Sequence, residues 1–93
     1  MNGAELVELA SLAAMGAITL GLIAAATRLL RGPTLPDRVV ALELLATLMM
    51  GLAAVESILS DEPVFVDVAI VLSLVAFLGA IAFARYIERR GRP

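Results

Sequence analysis

Cysteine and histidine are both absent from this chain of 93 residues. Their absence excludes disulfide bonds, thiolate metal sites and catalysis by an imidazole. The sequence also lacks a nucleophile paired with a base, a phosphate-binding loop and a cluster of metal ligands. We therefore expect no enzyme active site, no cofactor and no firm metal site.

Charge is scarce as well, at 17% of residues, whereas 61% are hydrophobic and the mean hydropathy is +1.00. This composition is too apolar for a soluble domain, and the length allows at most three membrane spans. The net charge of -2, with arginines placed at the membrane surfaces, leaves no basic face for nucleic acid. A small, all-α integral membrane protein in contact with the lipid bilayer is predicted.

Three transmembrane helices are predicted within one membrane domain over residues 1–93, at about 5–29, 35–58 and 63–89. Residues 9–27 carry no charge, and at a rise of roughly 1.5 Å per residue they nearly match the roughly 30 Å hydrocarbon layer. A Gly-Pro pair at 32–33 ends the first helix, Thr34 and Asp37 resemble a capping box, and Pro63 suits the start of the third helix.

Small residues recur along the first helix at spacings of four and three, which places them on one stripe. Such stripes allow close approach of a neighbouring helix. We expect the packing face of this helix to consist of Ala10, Ala14, Ala17, Gly21 and Ala24.

Basic residues are missing from the N-terminus and from the second loop. All seven arginines lie in the first loop or near the C-terminus, and the last four are predicted membrane anchors: Arg85, Arg89, Arg90 and Arg92. The positive-inside rule then predicts a cytoplasmic first loop and C-terminus. The N-terminus and the turn at residues 60–63 are predicted to lie outside.

Glu43 lies in the second predicted helix, six residues or roughly 9 Å beyond Asp37, too deep for a surface charge. Lipid exposure at a helix centre would cost about 2.5–3.5 kcal/mol on insertion scales. Glu43 therefore either handles a cation or proton, or pairs with an arginine. Thr47 lies four residues after Glu43 on the same helix face, which also carries Val40 and Met50. Its hydroxyl either assists a cation or bonds back to its own helix.

Asp67 lies about four residues past Pro63, roughly 6 Å from the outer end of the third helix. There it either joins an ion path or simply caps and snorkels near the interface. Its predicted separation from Glu43, roughly 10 to 15 Å along the membrane normal, is too long for one shared metal ion or proton. The two acids are separate stations on a path or separate contacts to partner subunits.

The first loop is stiff and basic, and it suits docking of another subunit or delivery of water to Glu43. Asp37 within it is expected to complement the helix dipole. The residues that form this surface are Arg31, Gly32, Pro33, Thr34, Pro36 and Arg38.

Residues 31–43, of sequence RGPTLPDRVVALE, closely resemble the F subunits of the Mrp-type cation/proton antiporters. Residues 65–70 and 77–83 also resemble that family, so the likeness spans nearly the whole chain. One departure is that the family usually has aspartate where this chain has Glu43. The carboxylate is retained but lies one methylene further from the backbone.

The resemblance implies a small three-helix subunit of a hetero-oligomeric complex in a bacterial or archaeal cell membrane, which exchanges sodium for protons. In that family the small subunits help to build the complex and have been proposed to line a sodium route. The resemblance extends a cation role only to Asp37, Glu43 and Asp67, with transient sodium at Glu43.

Three hypotheses follow. The preferred one is a transporter subunit that is inactive alone, because three helices with two offset acids cannot enclose a path. The second is a purely structural scaffold in a related complex, such as a membrane-bound hydrogenase, with its acids paired to partner arginines. The third is a proteolipid-like rotor subunit, against which the third helix and the different depths of the acids both count.

Overall fold

The computed structural model describes residues 2–90, which form three helices: α1 (Gly3–Arg31), α2 (Leu35–Ser60) and α3 (Val64–Arg90). Each helix is long and apolar enough to cross a membrane, which confirms the prediction of an all-α chain with three spans. Arg92, predicted as a membrane anchor, lies outside the described residues.

Local capping explains where the helices begin and end. α1 begins two residues before its predicted start because the Asn2 side chain accepts a hydrogen bond from the Glu5 N–H at 2.8 Å. α2 ends at Ser60 because the next residue, the C-cap Asp61, has a left-handed backbone (φ 56°, ψ 35°) that stops the helix. The Pro63 carbonyl then accepts the Val66 N–H at 3.0 Å and opens α3.

The helices form a single layer with α2 in the middle. α2 packs against both α1 and α3, whereas α1 and α3 do not pack against each other within the described residues. The smallest extent, 15 Å, is well below the next one, 25 Å, as expected for helices that lie side by side. Both broad faces of α2, and most of the surfaces of α1 and α3, are therefore open to lipid or to other proteins.

The α1–α2 seam is built from small residues facing large ones. A Cβ added to Gly21 would lie 3.3 Å from Leu48 Cδ1, and one added to Gly51 would lie 3.5 Å from Ile18 Cδ1. Ser11 and Ala25 are the buried residues of α1. Leucine and isoleucine branches thus fill the space above each glycine, so that a side chain of one helix reaches the backbone of the other.

The predicted small-residue stripe packs on α2 at two positions, and its other three positions stay open to a helix of another chain. Ala14 and Gly21 are half-buried, but Ala10, Ala17 and Ala24 are exposed. The face that packs on α2 is rotated toward Ser11, Ile18 and Ala25. α1 is apolar on every side, so small-residue spacing alone could not fix which stripe meets the neighbouring helix.

α3 contacts the rest of the chain through one narrow stripe. No residue of α3 is fully buried, and every side chain outside the stripe is exposed. The stripe repeats at spacings of four and three, as expected for one helix face, and consists of Phe65, Ala69, Leu72, Ala76, Gly79, Phe83 and Ile87.

Candidate functional site: a carboxylate in the α2–α3 seam

The loop before α2 is held together by its own side chains. Thr34 is the N-cap of α2, and its hydroxyl oxygen accepts the Asp37 N–H at 3.3 Å. The same hydroxyl donates to Asp37 Oδ2 at 2.8 Å. The Asp37 carboxylate is thereby engaged at the start of the helix, where a negative charge also complements the helix dipole.

Gly32 is required here by close approach rather than by backbone conformation, since its φ is −58°. An added Cβ would lie 3.1 Å from the Arg28 carbonyl oxygen and 3.3 Å from Asp37 Cβ. Arg38 Nε donates to the Gly32 carbonyl oxygen at 3.2 Å. The Gly-Pro-Thr-x-x-Asp-Arg sequence is therefore a self-supporting connection between α1 and α2.

Within the predicted contact surface of this loop, Gly32 is buried and cannot itself touch a partner. The remaining members are exposed, so arginine and proline side chains on both sides of the Thr34 cap are open to contact. The exposed members are Arg31, Pro33, Thr34, Pro36 and Arg38.

Glu43 points into the seam between α2 and α3. Its Oε1 would lie 3.3 Å from a Cβ added to Gly79, so the carboxylate reaches the backbone of α3 where that helix has no side chain. Ala46, one turn along α2, and Ala76, one turn back along α3, are also half-buried in this seam. Small residues thus leave room around the carboxylate.

No described residue donates a hydrogen bond to the Glu43 carboxylate or forms an ion pair with it. The Thr47 hydroxyl donates instead to the main-chain oxygen of Glu43 at 2.9 Å. The hydroxyls of Thr19 and Thr27 do the same on α1, bonding four residues back. Thr47 therefore has the ordinary conformation of a hydroxyl residue in a membrane helix, with its oxygen still able to accept.

Asp67 lies far from Glu43 and on another surface. It is exposed in the first turn of α3, and helical periodicity places it on the side opposite the stripe that packs on α2. Gly79, which contacts Glu43, is 12 residues further along α3, or about 18 Å. The described residues contain no group of three acidic side chains able to hold a metal ion.

The geometry supports one kind of chemistry at Glu43. A single carboxylate in a seam of small residues can take up a proton or contribute one ligand to a monovalent cation, provided that neighbouring chains or water supply the other ligands. Sequence reasoning missed Gly79, which gives this carboxylate its space. The glycine was visible in the sequence, but its position opposite Glu43 depends on the pairing of α2 with α3.

The chain matches the family model for multiple resistance and pH regulation protein F (MrpF / PhaF) over residues 36–88. This match covers more than half of the chain and includes Glu43, Gly79 and Asp67. The chain belongs to the MrpF/PhaF family. It is accordingly a multi-pass protein of the plasma membrane, in keeping with its three apolar helices.

Relatives are similar over most of their length. The F subunit of the Na(+)/H(+) antiporter of Bacillus subtilis strain 168 is 38% identical over 77 residues, covering 77% of this chain and 82% of the relative. The corresponding F subunit of Alkalihalophilus pseudofirmus is 39% identical over 62 residues, covering 67% and 68%. An F1 subunit of the Na(+)/H(+) antiporter of Staphylococcus aureus is 31% identical over 72 residues, covering 77% and 74%. No solved structure matches this chain.

Proposed function

We propose that this chain is a small membrane subunit of a multisubunit Na⁺/H⁺ antiporter, inactive alone, which places Glu43 on the ion path of the assembled complex. Its membership of the MrpF/PhaF family and the antiporter names of its relatives support the first part. The observation that carries the second part is the Glu43 carboxylate, which reaches the α2–α3 seam without a partner among the described residues.

The loop and the acids have separate roles in this proposal. Asp37 stabilises the start of α2 through Thr34, so its contribution to ion transport is indirect. The Thr47 hydroxyl oxygen, one turn from Glu43, supplies an additional acceptor for a cation. The exposed residues of the basic loop face other subunits or the water that reaches Glu43.

Charge determines the proposed orientation in the membrane. The helix ends rich in arginine, including Arg28, Arg38 and Arg89, come together at one end of the layer because neighbouring helices are antiparallel. The other end holds Glu56 and Asp61. The arginine-rich end, with the C-terminus, is placed in the cytoplasm.

The test is Glu43→Gln in the complete complex, assayed for sodium-dependent proton exchange in everted vesicles. The expected result is an intact complex in which exchange is lost, or in which the sodium concentration for half-maximal exchange rises about tenfold. A tenfold rise is equivalent to roughly 1.4 kcal/mol. Glu43→Asp keeps the charge and is expected to retain exchange. Glu56→Gln, the same change near the other end of α2, is the matched control and should leave exchange unaltered.

Assembly is measured in parallel by co-purification of all subunits. An intact complex with Glu43→Gln and unchanged exchange would mean that Glu43 is structural and that the chain is a scaffold. Loss of the other subunits from the purified complex would assign Glu43 to assembly instead of to the path.

A further inference from the structure

The side of α3 that faces away from α2 is not covered by any of residues 2–90. Along that side, Ile70, Leu74 and Leu78 are 53%, 60% and 64% exposed. They continue at helical spacing to Ile81, which is 45% exposed. Together with Asp67 these four residues form one stripe, the outer stripe of α3, directly opposite the packing stripe.

Asp67 is the charged residue in this stripe. How deep its carboxylate lies in the membrane decides whether the carboxylate needs a partner. The uncharged residues 68–84 number 17, or about 25 Å of helix, which falls short of a roughly 30 Å hydrocarbon layer. The hydrocarbon must therefore extend past one or both ends of this run. Val64 and Val66 lie beyond Asp67 and are apolar and exposed, so the aspartate has apolar, uncovered residues on both sides along α3.

The two charges that bound this run are not equivalent. Arg85 has a long stem that can carry its guanidinium to the interface, whereas the carboxylate of Asp67 sits on a single methylene and cannot move far from its helix. Asp67 also points away from the rest of the chain. An unpaired carboxylate in this position is costly, and intramembrane acids are found paired.

We propose that the outer stripe of α3 is the docking surface for a transmembrane helix of a different subunit, and that this helix presents a lysine or arginine to Asp67. The inference rests on the proposed function, because it requires a hetero-oligomeric complex. Charge complementarity selects the occupant: lipid tails cannot satisfy the carboxylate, and a second copy of this stripe would bring two aspartates together.

The experiment uses a benzophenone amino acid placed at Leu74, inside the stripe, in the whole complex with Asp67 intact. Illumination is expected to give one covalent product between this chain and a different subunit. Mass spectrometry of that product should locate the adduct in a transmembrane segment that contains lysine or arginine. Adding Asp67→Arg should abolish the product, while adding Glu62→Gln, the matched change in the exposed turn, should leave it.

Three results would overturn the proposal. The first is no product in a complex that otherwise purifies intact, which means that lipid covers the stripe. The others are a product with a second copy of this chain, and a product with a partner segment that has no basic residue. Exchange activity is measured on the same preparation. Exchange without the product rejects only the docking surface, whereas the product without exchange rejects the antiporter function and retains the surface.

Discussion

At the scale of single residues, Gly79 is expected to set the geometry of the Glu43 carboxylate. Its absent side chain leaves the space that Glu43 Oε1 approaches, at 3.3 Å from where a Cβ would be. Gly79→Val adds a branched side chain there and should displace the carboxylate. If Glu43 lies on the ion path, the assembled complex should need about ten times more sodium for half-maximal exchange, a change of roughly 1.4 kcal/mol.

Gly16→Val is the matched control for this change. Gly16 is also in a membrane helix, but an added Cβ there meets nothing within 4 Å, so exchange should keep its normal sodium dependence. An unaltered sodium dependence in Gly79→Val would contradict a role for the seam geometry. Loss of assembly in Gly79→Val alone would point to helix packing as the function of the glycine.

Individual residues also show what the sequence could and could not predict. Glu43 stands out because a charge within an apolar run is costly, and the bond from Thr47 to its own helix is one of the two alternatives that its position allows. Gly79 does not stand out, since glycine is common in membrane helices. Its meaning depends on which residue of α2 lies opposite, and that is a tertiary property.

At the scale of the helices, the connection between α1 and α2 is expected to be sensitive to added volume. Gly32→Ala brings a methyl group to 3.1 Å from the backbone oxygen of Arg28 and close to Asp37 and Arg38. A backbone atom cannot swing away as a side-chain tip can, so the loop must shift. Overpacking of this kind costs about 1–3 kcal/mol.

The measurement is the thermal midpoint at which this subunit dissociates from the purified complex. Gly32→Ala should lower that midpoint, whereas Gly16→Ala, in open space on α1, should leave it unchanged. An equal midpoint in both variants would show that the loop accommodates the methyl group. It would also remove the steric reason for glycine at this position.

The helices themselves were predictable to a large extent, because long uncharged runs bounded by Gly-Pro, a Thr-Asp cap and a proline turn define them without tertiary information. The packing face of α1 was only partly predictable. Ala14 and Gly21 lie in the contact with α2 together with Ser11 and Ile18, whereas Ala10, Ala17 and Ala24 are on the exposed side. A helix that is apolar all round carries no polar face from which to infer the buried one.

At the scale of the whole molecule, the single-layer arrangement has a direct consequence for assembly. Within residues 2–90, most of the surface of α1 and α3 is uncovered, and few apolar side chains are buried. Helices associate in membranes through close packing and polar contacts. The uncovered surfaces of α1 and α3 are therefore available for such contacts with other subunits. The sequence could not indicate that α2 is central, since three helices of similar hydropathy can be ordered in several ways.

The orientation of this layer in the membrane yields the last prediction. Because the chain has no cysteine, Glu62→Cys and Arg31→Cys each introduce a single reactive thiol at an exposed position on opposite ends of the layer. A membrane-impermeant maleimide should label Glu62→Cys from the outside of cells, and Arg31→Cys only in everted vesicles, since arginine-rich segments stay in the cytoplasm. The reverse pattern would place the C-terminus outside, and labelling of both thiols from one side would contradict the antiparallel layer itself.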